Sequence, residues 1–123
     1  MATGQEIWQR AVHVLDKHKA TDLRVLQVGH ITAITDYFLL ATAGSSTQLR
    51  SLSDYLEREL GEKGIRPLRQ NGYQTGDWIT LDYGDRIVHF FRAETREFYA
   101  LERLWVDAAE VDITPYLIKE NEQ

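Results

Sequence analysis

The sequence has no cysteine, only two prolines, no long apolar run and no block of basic residues. Without cysteine there is no disulfide framework, no thiolate metal site and no cysteine nucleophile. No stretch approaches the ~20 apolar residues of a membrane-spanning helix, and the N-terminus carries no signal-peptide core. A cytoplasmic protein without membrane contact is therefore expected. The shortage of basic side chains is more pointed. Fourteen Lys and Arg stand against 19 Asp and Glu, a formal net charge of −5. Residues 1–75 hold nine basic and eight acidic side chains, whereas residues 76–123 hold five and eleven. Affinity for nucleic acid begins with cations neutralising phosphates. Little direct RNA contact is expected, and a basic partner protein suits the acidic C-terminal half.

What is present suffices for one core. A chain of 123 residues, 43% of them hydrophobic, fits a single domain that buries roughly two-thirds of its unfolded surface. Thr3 and Glu6 have capping-box spacing ahead of Ile7, Trp8, Ala11, Val12 and Leu15, which predicts a helix near residues 4–19. Asp22 to Val28 reads as a strand, residues 29–35 as a loop, and Tyr37 to Ala43 as a strand buried on both faces. Ser45 and Gln48 open a second helix with Leu49, Leu52, Leu56 and Leu60 on one stripe. Gly64 and Pro67 stop it, and Pro67 to Gln70 reads as a short edge strand before a polar loop, Asn71 to Asp77.

Trp78 to Tyr83, Gly84-Asp85 and Arg86 to Phe91 form the plainest supersecondary signal, two strands around a two-residue turn. In the first strand Ile79, Leu81 and Tyr83 share one face, and Trp78, Thr80 and Asp82 share the other. A third helix is predicted over Thr95 to Trp105, and the end of the chain reads as a solvated tail. The order of elements indicates a single α/β domain, a mixed sheet flanked by helices.

The chemistry-bearing residues are few. His13 and His18 lie five apart on one helix, hence on different faces, and no histidine or carboxylate pair has metal-ligand spacing. His89, between Val88 and Phe90 in mid-strand, reads as a hydrogen-bonded structural histidine. Neither a metal nor a cofactor is expected, and no residue is assigned a catalytic role. Gly44-Ser45-Ser46, between a buried strand and a helix, has a geometry that can offer backbone N–H groups to phosphate. A nucleotide-binding or nucleotidyltransferase-type enzyme using this loop is the alternative reading. Such enzymes also need paired carboxylates for metal ions, and Trp78-Ile79-Thr80-Leu81-Asp82 supplies no Asp-x-Asp. What remains is a surface, with Asp77, Asp82 and Asp85 around a hairpin that also holds Trp78 and Tyr83. Aromatic anchors ringed by charge are how protein interfaces concentrate binding energy.

Three longer words agree with that surface. Asp36-Tyr37-Phe38 with Ala43-Gly44-Ser45-Ser46 resembles one signature of the ribosomal silencing factor (Iojap) family. Gly76 to Asp85, running on to Val88-His89-Phe90, resembles its central signature, and Arg96 to Trp105 its third. With the turn Gly64 to Leu68, the likeness spans roughly residues 5–110. Arg86 departs from it, since that hairpin position is usually apolar in the family. The resemblance implies a nucleotidyltransferase-like fold without catalysis, spanning residues 1–111 and followed by a tail, 112–123. It implies binding to the large ribosomal subunit through ribosomal protein fourteen and a steric block to small-subunit joining when nutrients are scarce. Some relatives form homodimers when free. Carried over by motif position, the docking residues are Trp78, Leu81, Asp82, Tyr83 and Asp85, with Asp77, His89 and Glu102 as secondary positions. A pleated strand points Leu81 and Asp82 to opposite faces. Either contact comes from the hairpin's end, or one of the two is structural.

Overall fold

Two apolar helical stripes and a set of strand-length apolar runs must share one core, and the arrangement follows from that requirement. The computed structural model describes residues 4–95 and 108–117, with side chains from residue 7 on. Helix α1 (Gly4–Lys17) precedes strand β1 (Thr21–Gln27), strand β2 (Tyr37–Ala43) and helix α2 (Ser46–Gly61). Strands β3 (Arg69–Asn71), β4 (Trp78–Asp82), β5 (Arg86–Arg92) and β6 (Ala109–Val111) follow, then a 3₁₀ turn, Thr114–Tyr116. The six strands lie in the order β3-β4-β5-β2-β1-β6. Only β2 and β5 run parallel, and the other four pairings are antiparallel, so the sheet is mixed as expected.

Trp8, Ala11, Val12 and Leu15 of α1 and Leu49, Leu52, Leu56 and Leu60 of α2 pack with Val25, Leu39, Ile79, Leu81, Val88 and Phe90 on one face of the sheet. Each such leucine stabilises the fold by about 1.5–3 kcal/mol relative to an exposed one. The opposite face holds a second cluster, Leu26, Val28, Phe38, Leu40 and Phe91, against which Trp78 and Ile87 pack. Central β2 feeds both clusters, hence its continuous apolar run.

The helix ends show why the bounds sit where they do. Ser45 Oγ accepts from Gln48 N–H at 3.0 Å, while Gln48 Oε1 accepts from Gly44 N–H at 2.7 Å. Gly64, at φ +79°, ends α2, with Ile65 N–H bonded to Leu60 C=O. Helix α1 stops at Lys17, two residues earlier than the periodicity predicts, because Lys19 takes φ +72° and Ala20 N–H turns back to Leu15 C=O. The edge strand begins at Arg69 rather than Pro67, and β1 covers residues 21–27 rather than 22–28. Strand β6 was not foreseen. It is three residues long, and its pairing with Val25 to Gln27 creates it. Tyr116 then packs edge-on against Trp8 and accepts a hydrogen bond from Gln9 Nε2 at 2.9 Å. The Thr3 cap, most of the predicted third helix and the last six residues lie outside the described residues.

Candidate docking site

The hairpin is built as the sequence predicts. Tyr83 N–H bonds to Arg86 C=O at 2.9 Å, leaving Gly84 and Asp85 as the two turn residues. Gly84 has φ +90° and Asp85 does not have positive φ, as a type II′ turn requires. Asp82 Oδ1 accepts from Gly84 N–H at 2.8 Å and stiffens the tip.

The five expected docking residues do not form one patch. Leu81 is completely buried in the helix-covered core, so it supports the hairpin from beneath and presents nothing to a partner. Tyr83 lies on that same inner face, half-buried, and burial of its hydroxyl, followed by the nearby charge of Glu57, raises its pKa well above the ordinary phenol value. Asp82 and Asp85 flank Gly84 at the hairpin tip. Trp78 stands at the other end of β4, about 13 Å from Asp82 at the usual rise per residue.

Asp85 has a partner within the chain. Its carboxylate takes two bonds from Arg86, Nη2 at 2.8 Å and Nε at 3.3 Å. Arg86 is 1% exposed and stacks its guanidinium over Tyr37 at 5.5 Å. A buried guanidinium demands a counter-charge, and Asp85 supplies one. Pairing with Arg86 therefore ties one hairpin carboxylate to a buried cation of the same chain.

Trp78 is held by His89. The indole Nε1–H donates to His89 Nδ1 at 3.1 Å, and the indole also packs against Phe91. An indole only donates, so Nδ1 must be the acceptor and the imidazole proton sits on Nε2. Burial lowers the His89 pKa to about 4, which keeps the ring neutral and able to accept. His89 is thus the structural histidine expected of it. Asp77 is engaged as well, with Arg92 Nη2 at 2.7 Å from its Oδ1.

The loop before Trp78 is clamped by α2. Arg50 donates from Nε to Tyr73 C=O and from Nη2 to Gln74 C=O, both at 2.8 Å. Ser46 Oγ donates to Gly76 C=O at 2.8 Å. Sequence reasoning missed Arg50, because its partners are carbonyls more than 20 residues away and any residue could supply them. These contacts also bear on the Gly44-Ser45-Ser46 loop. Gly44 N–H and Ser46 Oγ both donate within the chain, to Gln48 and to Gly76. Among the described residues, no group of three or more His, Cys, Asp or Glu could hold a metal ion, and no helix is long and apolar enough to cross a membrane. Glu102 lies outside the described residues.

Fold and site together define a small mixed-sheet α/β protein that presents side chains from the two ends of a hairpin. The family model described as ribosomal silencing factor during starvation matches residues 2–123. The ribosomal silencing factor of Halalkalibacterium halodurans is 35% identical over 111 residues, 90% of this chain and 95% of that one. Protein Iojap of Zea mays chloroplasts is 35% identical over 95 residues, 77% of this chain and 41% of that protein. A Chromobacterium violaceum crystal structure superposes with a TM-score of 0.82 at 28% identity, covering 85% of this chain and 88% of that one. A Bacillus halodurans structure gives 0.78 at 33% identity, covering 89% and 99%. The chain belongs to the ribosomal silencing factor family, and its class of function is ribosome-associated regulation of translation.

Proposed function

We propose that the protein is a non-enzymatic translational repressor that docks on the large ribosomal subunit through ribosomal protein fourteen and sterically blocks small-subunit joining under nutrient limitation. Family membership along residues 2–123 is the observation that carries this reading. The charge supports it: a protein of net charge −5 meets a basic ribosomal protein more readily than ribosomal RNA, and complementary charge speeds and orients the encounter. The hairpin is the docking element, with Trp78 on its outer face and Asp82 and Asp85 at its tip. Leu81 and Tyr83 hold it rigid from the inner face. Residues 1–111 carry the function, the protein works in the cytoplasm, and a free homodimer gives way to the docked form.

Co-sedimentation with purified large subunits tests the reading, together with light scattering of subunit joining. The wild-type protein is expected to pellet with large subunits and to slow joining. The folded Trp78→Ala variant is expected to bind at least tenfold more weakly, the usual cost of truncating an aromatic anchor being ~2 kcal/mol. A folded wild-type protein that stays in the supernatant defeats the proposal.

A further inference from the structure

Residues 108–117 hold their own shape, and among the described residues few contacts tie them to the rest of the fold. Strand β6 pairs with β1 over three residues, Ala109–Val111 against Val25–Gln27. Central β2, by contrast, has seven register partners in β5. Beyond β6, Gln9 Nε2 donates to the Tyr116 hydroxyl at 2.9 Å, and His13 Nδ1 donates to Tyr116 C=O at 3.4 Å. Tyr116 also stands edge-on to Trp8, with ring centroids 5.0 Å apart. Arg24 and Glu110 face each other at 4.0 Å, a solvated pair that adds little. Val111, Ile113 and Leu117 pack against the core but are only half-buried, and no residue from 108 to 117 is buried.

Within itself the stretch is braced. Asp112 Oδ1 accepts from Thr114 N–H at 3.0 Å, and Tyr116 N–H bonds to Ile113 C=O at 2.9 Å. Pro115 fixes its own backbone angle in the 3₁₀ turn. A segment braced inside and lightly held from outside separates as a piece. The body beneath does not depend on it, since Arg24 to Gln27 also pair with Tyr37 to Leu40 of β2. Local opening is easiest where buried apolar contact is least and backbone bonds are most exposed to solvent. By both measures this stretch opens before the central strands do.

We propose that residues 108–117 form a strap that opens and recloses as one unit on a body that stays folded. What lies beneath gives the motion its consequence. With the strap closed, Trp8 is 4% exposed and Val25 is completely buried. Opening uncovers the indole of Trp8 and bares the outer edge of β1, a seven-residue strand. A bare strand of that length is an edge on which other extended chains pair, and the short β6 closes it. The strap is thus the guard of that edge, built from the chain itself.

Amide hydrogen exchange of the full chain, resolved residue by residue by NMR, reads the motion directly. The β6 amides that bond to β1 are expected to exchange at least a hundredfold faster than those of Leu39 and Leu40. Along β1, amides directed at β6 are expected to follow the strap, and amides directed at β2 to follow the core. Tyr116→Ala removes the ring contact and the Gln9 bond. It is expected to speed the strap amides about tenfold and leave β2 and β5 unchanged. The chain has no cysteine, so one disulfide can lock the strap: Gln27→Cys with Ala109→Cys, at exposed register partners. Locked, the strap amides are expected to slow at least tenfold, and reduction should restore the wild-type pattern. Strap and β2 amides exchanging at one common rate would overturn the proposal, as would an equal gain in strap and core from Tyr116→Ala. So would protection of 109–111 at the level of the core while only later residues exchange fast, or a locked chain that exchanges like the reduced one. Ribosome binding enters none of these measurements, so the outcome is independent of the docking face.

Discussion

The two ends of one sheet solve opposite problems. At the end where β4 begins, the chain spends its polar groups on itself: Arg50 and Ser46 satisfy three carbonyls of the 73–76 loop, and Asp77 pairs with Arg92. At the end where β4 finishes, the backbone is equally ordered, but Ile34 and Leu68 stand 72% exposed. One end is closed by helix α2, and the other is stiff yet open. Order without coverage leaves apolar side chains exposed to solvent, whereas order with coverage fixes the loop that leads into Trp78. Trp78, at the covered end, is half-buried and bonded to His89.

Glycine substitutions at the two ends should differ most. Gly72 has φ +84°, and a Cβ there would lie 1.9 Å from Trp78 C=O. Gly72→Ala combines left-handed strain with a backbone clash, and an unfolding loss of about 4 kcal/mol is expected. Gly84 also has positive φ, +90°, but a Cβ there meets only Leu68 Cδ1 at 3.6 Å. Gly84→Ala carries the conformational penalty alone, about 1–2 kcal/mol. Urea unfolding of the two variants measures the difference, and equal losses would break the distinction between a closed and an open end.

The next effect tests how firmly Trp78 is held. His89 has its folded pKa lowered to about 4, against an ordinary value of 6.5. The unfolded chain therefore binds more protons at this site between those values, and stability rises with pH there. The contribution is complete above pH 6.5 and is lost as the pH falls toward 4, about 3 kcal/mol in all. His89→Gln keeps an acceptor for the indole and removes the titration. Stability measured from pH 7.5 to pH 4.5 should fall less steeply in that variant than in the wild type. Parallel curves would mean that His89 is not what holds Trp78 in acid.

Much of this contrast could be read in the sequence, and part could not. The hairpin was legible because Gly84-Asp85 sits between two runs of strand formers, and alternation alone assigned Ile79 and Leu81 to one face and Trp78 and Asp82 to the other. Helix α2 was legible from its cap, its leucine stripe and Gly64. The docking set was carried over as a word, and a word records which residues occur together without recording which way each one faces. Leu81 therefore entered the set although the core takes it. Strand β6 escaped notice because three residues, Ala109-Glu110-Val111, are too few to show a period, and pairing with β1 defines them. The Arg50 clamp is a product of topology, since it joins segments far apart in the chain.

Arg50 gives the smallest effect and the sharpest test. Arg50→Ala removes two charge-assisted donors from the carbonyls of Tyr73 and Gln74. The loop is part-exposed, so water takes up much of the lost bonding, and a cost of about 1–2 kcal/mol is expected. That corresponds to a melting point lower by roughly 5–10 °C for a domain of this size. The indole emission of Trp78 should shift to the red as the loop before it loosens. Large-subunit binding should fall less than in Trp78→Ala, because the clamp acts on the indole only through the loop before it, and the indole keeps its own bond to His89. A binding loss as large as that expected for Trp78→Ala would show that the 73–76 loop itself reaches the partner, and the clamped loop would then have to be treated as part of the docking face.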